Sequence, residues 1–452
     1  MDSNTEDIKK LMTEIIGKAK EYGFDEAACH YSDNESINID ILNGEVSSYE
    51  NSRDSGFTFK GLKNGQMGTC GTNVIDDDTA DYLLSGAMEN CGVLDDDDPD
   101  FIYCDPDHKE LSFSQLSGAY DKNTYDRFKE LGLKIEKAIL DIDPCVKAVD
   151  YLSISASIGP TIMMNTKGLY AFTDSDGITI FAGARAEKDG VVKSGGHFWI
   201  GNDIDKFDLD SFIDKVSDNL ITKFGASSVR SGSYDTIFKS DAFVSLFAAF
   251  FGNFSSFAMQ KGLSLLAGKQ GTKIASDTLT IREVPMYEKA LNKIPFDSEG
   301  VLTYEKAIID KGVFSTALYN LKTAYKDGIK STGNGFGGNI GVSNIVITPG
   351  EKDFDALMET VGNGLIITEV SGLHAGVNAV SGDFSLLSEG FVIENGKKGR
   401  PVEQITISGN FYDLIKNITE LGNDVENNLG SRGEVFCPSV IIKGVNVAGD
   451  GR

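Results

Sequence analysis

Apolar residues near the amino terminus recur at three- and four-residue spacing, at Ile8, Leu11, Met12, Ile15, Ile16 and Ala19. This predicts a helix from about Thr5 to Tyr22, with N-cap oxygens from Ser3 to Thr5 and Gly23 as its stop. Alternation then takes over. Ile37, Ile39 and Ile41 point one way, Asn43-Gly44 turns the chain, and Val46 and Ser48 to Tyr49 return; a second pair, Phe57 to Leu62 and Met67 to Thr72, is joined at Asn64-Gly65. Asn-Gly between alternating runs is a strong hairpin signal, because both turn residues need positive φ. A helix from about Asp78 to Asn90 closes this first run of elements.

Beyond an acidic stretch from Asp95 to His108, which reads as a linker, the same order of elements returns. A helix from about Tyr120 to Ile142 precedes strands at Ala148 to Ile158, Thr161 to Asn165, Leu169 to Ala186 with a break near Asp174 to Gly177, and Val191 to Ile200. A helix from about Asp208 to Phe224 follows. The echo of Glu50-Asn51-Ser52-Arg53 in Met164-Asn165-Thr166-Lys167 suggests a duplicated helix, strands and helix unit. From Ser227 on, strands dominate, at Leu302 to Asp310, Asn344 to Thr348, Gly364 to Glu369, Gly390 to Glu394 and Ser439 to Val447. Two helices interrupt them, Ala242 to Asn253 with a continuation toward Leu265, and Phe411 to Leu421. So many strands with so few helices imply a sheet that curves or closes on itself, which removes exposed edges. The expected fold is α+β. It comprises domains at 1–105 and 106–226, each a helix-plus-antiparallel-sheet unit, and a strand-rich, curved-sheet or barrel-like domain at 227–452.

Composition narrows the function. With 42 Lys plus Arg against 68 Asp plus Glu, the formal net charge is -26, and no block of basic residues offers a phosphate-binding stripe. This argues against nucleic acid. The run Asp95 to Asp98 reads as a solvated loop rather than a cation site, since like charges in sequence repel and stay in water. Six cysteines without a CxxC pair fit reduced thiols, the acidic start MDSNTEDIKK is unlike a secretory signal, and the longest apolar run is too short to cross a bilayer. The expectation is a cytoplasmic protein with no membrane contact.

Several pieces of the last third keep a recognisable order and spacing. They are PFDSEG (Pro295 to Gly300), STGNG (Ser331 to Gly335), SGDFSLLSEGFVIENG (Ser381 to Gly396) and ITISGNFYDLIKNITELGND (Ile405 to Asp424). Together they resemble the TldD/PmbA family, and within it the PmbA branch, also called TldE. The resemblance implies a cleft at a dimer interface where extended, unfolded peptides are cleaved. In the TldD branch a helix bears His-Glu-x-x-x-His, and with a cysteine near the carboxy terminus it holds zinc. Here the corresponding residues are Ala248, Ala249 and Asn253.

Methyl groups cannot ligate a metal or move a proton, and a carboxamide is a weak neutral ligand, so this helix reads as a packing element with phenylalanines on nearly every face. No cofactor is expected in this chain, and zinc is expected in a TldD-like partner. Of the four histidines, His374 draws notice because the resemblance puts its glycine-rich segment beside the cleft; a lone histidine is also commonly structural. Gly333, Gly335, Gly337 and Gly338 are candidates for binding peptide by strand addition, with turn formation as the plainer role. Cys437 matches a strand start of the PmbA branch, and the cysteine loop of the TldD branch would fall near Leu429 to Gly433, where none occurs. Ser298, beside Asp297 and Glu299, lacks a G-x-S-x-G elbow. The expected function is a PmbA/TldE-type subunit of a peptidase complex without its own zinc ligands. The alternative is a homodimer that binds peptides without hydrolysing them.

Overall fold

The computed structural model describes residues 3–92, 98–119, 121 and 123–451. The side chains of Ser3 and Asn4, expected to cap the first helix, the expected helix start Tyr120, and Asp95 to Asp97 of the acidic run lie outside the described residues. The chain forms two compact units, Met1–Thr222 with Glu299–Val301, and Lys223–Ser298 with Leu302–Arg452.

The first unit begins with α1 (Ser3–Lys18), β1 (Glu26–Leu42), β2 (Glu45–Lys63), β3 (Gln66–Thr72) and α2 (Thr79–Asn90). Asn43 and Gly44 (φ 56° and 80°) and Asn64 and Gly65 (φ 50° and 79°) make the two hairpin turns as expected. After β4 (Glu110–Gln115) come α3 (Thr124–Leu140), β5 (Val146–Asn165), β6 (Tyr170–Lys188), β7 (Val191–Gly201) and α4 (Leu209–Leu220). One seven-stranded sheet runs β3-β2-β1-β5-β6, with β4 and β7 both on β6. Strands β1 and β5 pair antiparallel from Ala28 with Asn165 to Asp40 with Ser153. On one face Ile8, Met12 and Ile15 of α1 and Leu83, Leu84 and Ala87 of α2 are buried against Phe57 and Phe59 of β2.

Three expectations need correction here. The two strands expected at 148–158 and 161–165 are one strand, because the ladder with β6 continues through Gly159 and Pro160. The break expected near Asp174 to Gly177 does not occur. Those acidic residues serve the segment leading to α3: buried Asp176 accepts hydrogen bonds from the N–H groups of Ser117, Gly118 and Ala119 (2.9, 2.7 and 2.9 Å), filling the need of a turn whose donors would otherwise lack partners. The sequence echo joins unlike places, mid-strand in β2 and the turn after β5.

The second unit holds β8 (Arg230–Phe238), α5 (Ser240–Phe250), α6 (Ser256–Gln260), β9 (Ile281–Glu283), β10 (Lys306–Asp310), β11 (Val313–Phe314), α7 (Leu321–Asp327), β12 (Gly335–Phe336) and β13 (Asn339–Ile340). It continues with β14 (Ile345–Ile347), α8 (Phe354–Val361), β15 (Gly364–Ser371), α9 (Leu373–Gly376), β16 (Asp383–Glu394), β17 (Lys397–Asn410), α10 (Phe411–Leu414), β18 (Ile418–Leu421), β19 (Glu426–Leu429), β20 (Glu434–Cys437) and β21 (Val440–Asp450). Strands β8, β15, β16, β17 and β21 close into a five-stranded barrel, because β17 also pairs β21 from Thr406–Ala448 to Ser408–Asn446. A second sheet runs β11-β10-β9-β14-β20-β19. Alternation divides the barrel strands between two apolar clusters. Phe238, Leu365 and Ile367 join the cluster that buries α5, and Ile237, Ile366 and Ile441 join Leu357 and Met358 of α8. The α+β class with a barrel-like carboxy-terminal part is as expected. The helix expected over 411–421 ends sooner: Asn410 caps one α-helical turn, a 3₁₀ turn continues it to Asn417, and Ile418–Leu421 instead pairs with β21.

Candidate functional site

Helix α5 is built from Lys239 onward, and its apolar residues set which side is buried. Phe243, Leu246, Phe247 and Phe250 enter the core, where Phe250 stacks on Phe411 at 4.5 Å and Phe247 meets Phe411 at 5.4 Å. Asp241, Ala248 and Gly252 form an exposed stripe at helical spacing, with Ser245 and Ala249 partly exposed beside it. The expectation that nearly every face is packed is therefore corrected. One face is open, and Ala248 lies on it.

The chain leaves α-helical geometry at Phe250, and a single 3₁₀ turn over Phe251–Phe254 carries Asn253 inward. Asn253 is buried, its side-chain amide donates to the Ala379 carbonyl at 2.8 Å, and its own carbonyl accepts from the Ser264 hydroxyl at 2.7 Å. The end of α5 is thus tied to the 372–382 loop, which carries exposed His374 in α9, and to the segment after α6. Ala248 and Asn253 consequently face different surroundings, one open and one enclosed.

The motif pieces brace this region. Asp383 and Asn410 are directly opposite in the β16–β17 ladder, and Asn410 donates to the Ser381 carbonyl and the Asp383 carboxylate, both at 2.9 Å. The Asn410 amide and the Ser381 hydroxyl hold the Asp383 carboxyl below its usual range. Gly382 has φ 87°, and a Cβ there would lie 2.8 Å from the Tyr412 ring. Asp424 accepts from the N–H and hydroxyl of Ser439 (3.1 and 2.7 Å) and pairs with Lys239 at 3.4 Å, just before α5. Cys437 is buried with Sγ 3.2 Å from the Pro438 carbonyl, and burial pushes its thiol well up.

The glycine candidates form a separate construction. Gly337 and Gly338 (φ 58° and 82°) are the turn of the β12–β13 hairpin. Gly333 (φ 70°) sits against the main chain of Leu302, where a Cβ would come within 2.7 Å. Both main-chain groups of Gly335 are engaged, its N–H with Asp297 (2.8 Å) and its carbonyl with the Ser298 N–H (2.9 Å). Under the hairpin lies a buried ion pair, Lys306 with Glu283 at 2.6 Å. Glu283 also accepts from the Asn334 amide (3.1 and 3.0 Å) and from the Ser343 N–H and hydroxyl (both 2.8 Å). This network was not foreseen from the sequence. Its signal was a lysine opening the apolar strand Lys306–Asp310 and a glutamate closing the short strand Ile281–Glu283.

The remaining histidines lie apart from one another. His30 is in β1, His108 pairs with Asp105 at 3.4 Å, and His197 in β7 packs on Phe212 at 5.4 Å. Among the described residues no group of three or more His, Cys, Asp or Glu is placed to hold a metal ion.

Family models for the PmbA/TldA metallopeptidase match domain 1 over residues 31–91, the central domain over 120–224 and the C-terminal domain over 231–449. The chain belongs to the PmbA/TldD family. Among relatives, the metalloprotease PmbA of Escherichia coli O157:H7 is 29% identical over 325 residues, covering 72% of this chain and 70% of that one. A PmbA homolog of Haemophilus influenzae is 25% identical with the same coverage, 72% and 70%. Among solved structures, a Thermotoga maritima protein described as a candidate modulator of a DNA gyrase is 30% identical, with a TM-score of 0.86, covering 98% of this chain and 100% of the other. TldE from Thermococcus kodakarensis shares the fold with a TM-score of 0.83 at 21% identity, covering 97% and 100%. Positions 248, 249 and 253, which the resemblance sets against the zinc-binding helix, can hold a metal only through their own chemistry. Two methyl groups carry no lone pair, and the one carboxamide, a weak neutral ligand, belongs to buried Asn253 while Ala248 is exposed, so this trio does not fit a zinc ion. No helix among the described residues is long and apolar enough to cross a membrane.

Proposed function

We propose that this chain is a PmbA/TldE-type subunit that holds extended peptide beside a TldD-like, zinc-bearing subunit and does not itself cleave it. The observation that carries this reading is the arrangement at α5. Its open face presents Ala248 and Ala249, and Asn253 is committed to bracing the 372–382 loop. A zinc peptidase needs a set of several ligands and a base for the metal-bound water, and this face offers a single carboxylate, Asp241, two turns from Ala248, with no imidazole or thiolate. The zinc is assigned to the partner. What this chain contributes is a rigid wall, made by the Asp383–Asn410 and Glu283–Asn334 bonds, with exposed His374 beside the cleft of the proposed complex. Assembly with a second copy of itself is the alternative to a TldD-like partner, and the same experiment separates them.

The test is cleavage of a fluorogenic, unstructured peptide by the purified chain, by a TldD-like protein from the same host, and by the two combined, each with a chelator control. Turnover that needs both proteins and disappears with chelator supports the proposal. Chelator-sensitive turnover by this chain alone, at a rate comparable to the mixture, overturns it.

A further inference from the structure

The second unit carries a basic and apolar surface that the net charge of -26 hides. From Ala242 to Ser276 there is no acidic residue, and the same stretch holds Lys261, Lys269 and Lys273, the last paired with Asp277 at 2.7 Å. Phe257, Leu263 and Leu265 within it are about half exposed, at 52%, 47% and 49%. Helix α7 and the residues after it add Tyr325 and Ile329, exposed at 58% and 49%, and exposed Lys330.

Hydrogen bonds make these segments one surface. Ser256 of α6 bonds the Thr323 hydroxyl of α7 at 2.8 Å, and Gln260 donates to the Thr323 carbonyl at 2.9 Å. Leu263 returns against α6 through its N–H to the Ala258 carbonyl (2.8 Å), and Ile329 folds back on α7 through its N–H to Ala324 (2.9 Å). Ser264, between the two exposed leucines, is the residue that bonds Asn253 at 2.7 Å. The surface therefore adjoins the end of α5 and, through Asn253, the 372–382 loop, where Val380 is exposed at 42%.

Large apolar side chains left in water cost free energy unless something covers them, and grouped ones mark an interaction site. Lysines here are surrounded by a chain of strongly negative total charge. The lysines attract carboxylates locally, while the net negative charge of the chain repels an acidic peptide elsewhere on the protein. We infer that Phe257, Lys261, Leu263, Leu265, Ile329 and Lys330 form a subsite for an extended polypeptide in which acidic residues are interspersed with apolar ones. This rests on the peptide-holding role proposed above and gives it a substrate class. The leucines and Phe257 cover the apolar side chains of the peptide, and the lysines meet its carboxylates.

The test measures binding by the isolated chain, with no TldD-like protein present, so its outcome is independent of whether a peptidase complex forms. Two fluorescein-labelled unstructured peptides are compared by anisotropy, one alternating Glu with Leu and Gly and one with Lys in place of each Glu. Expected is tighter binding of the acidic peptide that weakens with salt, as exposed ion pairs are screened over a Debye length of about 10 Å at 0.1 M. The variant Lys261→Glu with Lys330→Glu is expected to lose about tenfold in affinity, as two exposed ion pairs are lost. Leu265→Ser, read by the same assay with its melting temperature checked, should weaken both peptides alike. Equal affinity for the two peptides, no binding of either, or an unchanged charge-reversed variant overturns the inference. A single-stranded DNA probe that displaces the acidic peptide, or self-association abolished by the charge reversal, assigns the surface to another occupant and overturns it as well.

Discussion

The side-chain amide of Asn253 donates to the Ala379 carbonyl at 2.8 Å and so fastens the end of α5 to the loop that carries His374. The same residue accepts from Ser264 through its main chain. Asn253 is thus a structural tie between α5, the 372–382 loop and the segment after α6. Asn253→Ala removes this hydrogen bond to the main chain of exposed Ala379, and is expected to cost about 0.5–1.5 kcal/mol. Urea unfolding measures the loss, and an unchanged midpoint would sink the idea that this bond braces the loop.

Grafting the ligands back should fail as an enzyme. In the triple variant Ala248→His, Ala249→Glu, Asn253→His, the new residue at 248 stands on the open face, while that at 253 is enclosed and breaks the tie to Ala379. Phe250 does not crowd the open face, as it is buried against Phe411; a shared coordination site is what is missing. Elemental analysis of chelator-free protein is expected to find no stoichiometric zinc in either form, and the fluorogenic peptide is expected to stay intact. One zinc per chain in the wild type, lost on mutating this helix, would contradict the assignment.

The Glu283–Lys306 pair offers a sharper stability test. Both side chains are buried, so Lys306→Met strands a carboxylate away from water and is expected to destabilise by about 3–5 kcal/mol. Adding Glu283→Gln to that variant removes the stranded charge and should cost less than the two single changes summed. A double-mutant cycle from denaturant unfolding reads the coupling, and strict additivity would refute it.

His30 predicts an acid sensitivity. Burial, with the nearby Lys60 ammonium, pushes its imidazole down from 6.5 to about 3. The folded state therefore binds fewer protons than the unfolded chain at pH values between these two. Stability is unaffected by this group above about pH 6.5 and falls as the pH is lowered toward 3. One proton changes the unfolding free energy by at most about 1.4 kcal/mol per pH unit. His30→Gln should flatten the fall in stability between about pH 6 and 4 relative to wild type, measured by melts across that range; parallel curves would count against a neutral imidazole at this half-buried position.

Much of the local structure was written in neighbouring residues. Asn43-Gly44 and Asn64-Gly65 turn the chain because their conformation depends on the pair itself, and the apolar spacing of α1 defines a helix before any partner is present. Likewise, Ala248 and Ala249 exclude metal ligation by their own chemistry, whatever surrounds them. The pairing of β1 with β5, the closing of the barrel by β17 on β21, and the burial of Lys306 against Glu283 join residues far apart in the chain. Those outcomes depend on register and on which polar groups find partners once water is excluded. That is why the strand at 170–188 looked broken at its aspartates, and why the open face of α5 looked closed. The hairpins, the first helix and the missing lone pairs of Ala248 and Ala249 follow from local chemistry; that Asn253 braces a loop while Ala248 stays exposed follows from packing between distant segments, because burial is set by what those segments bring together.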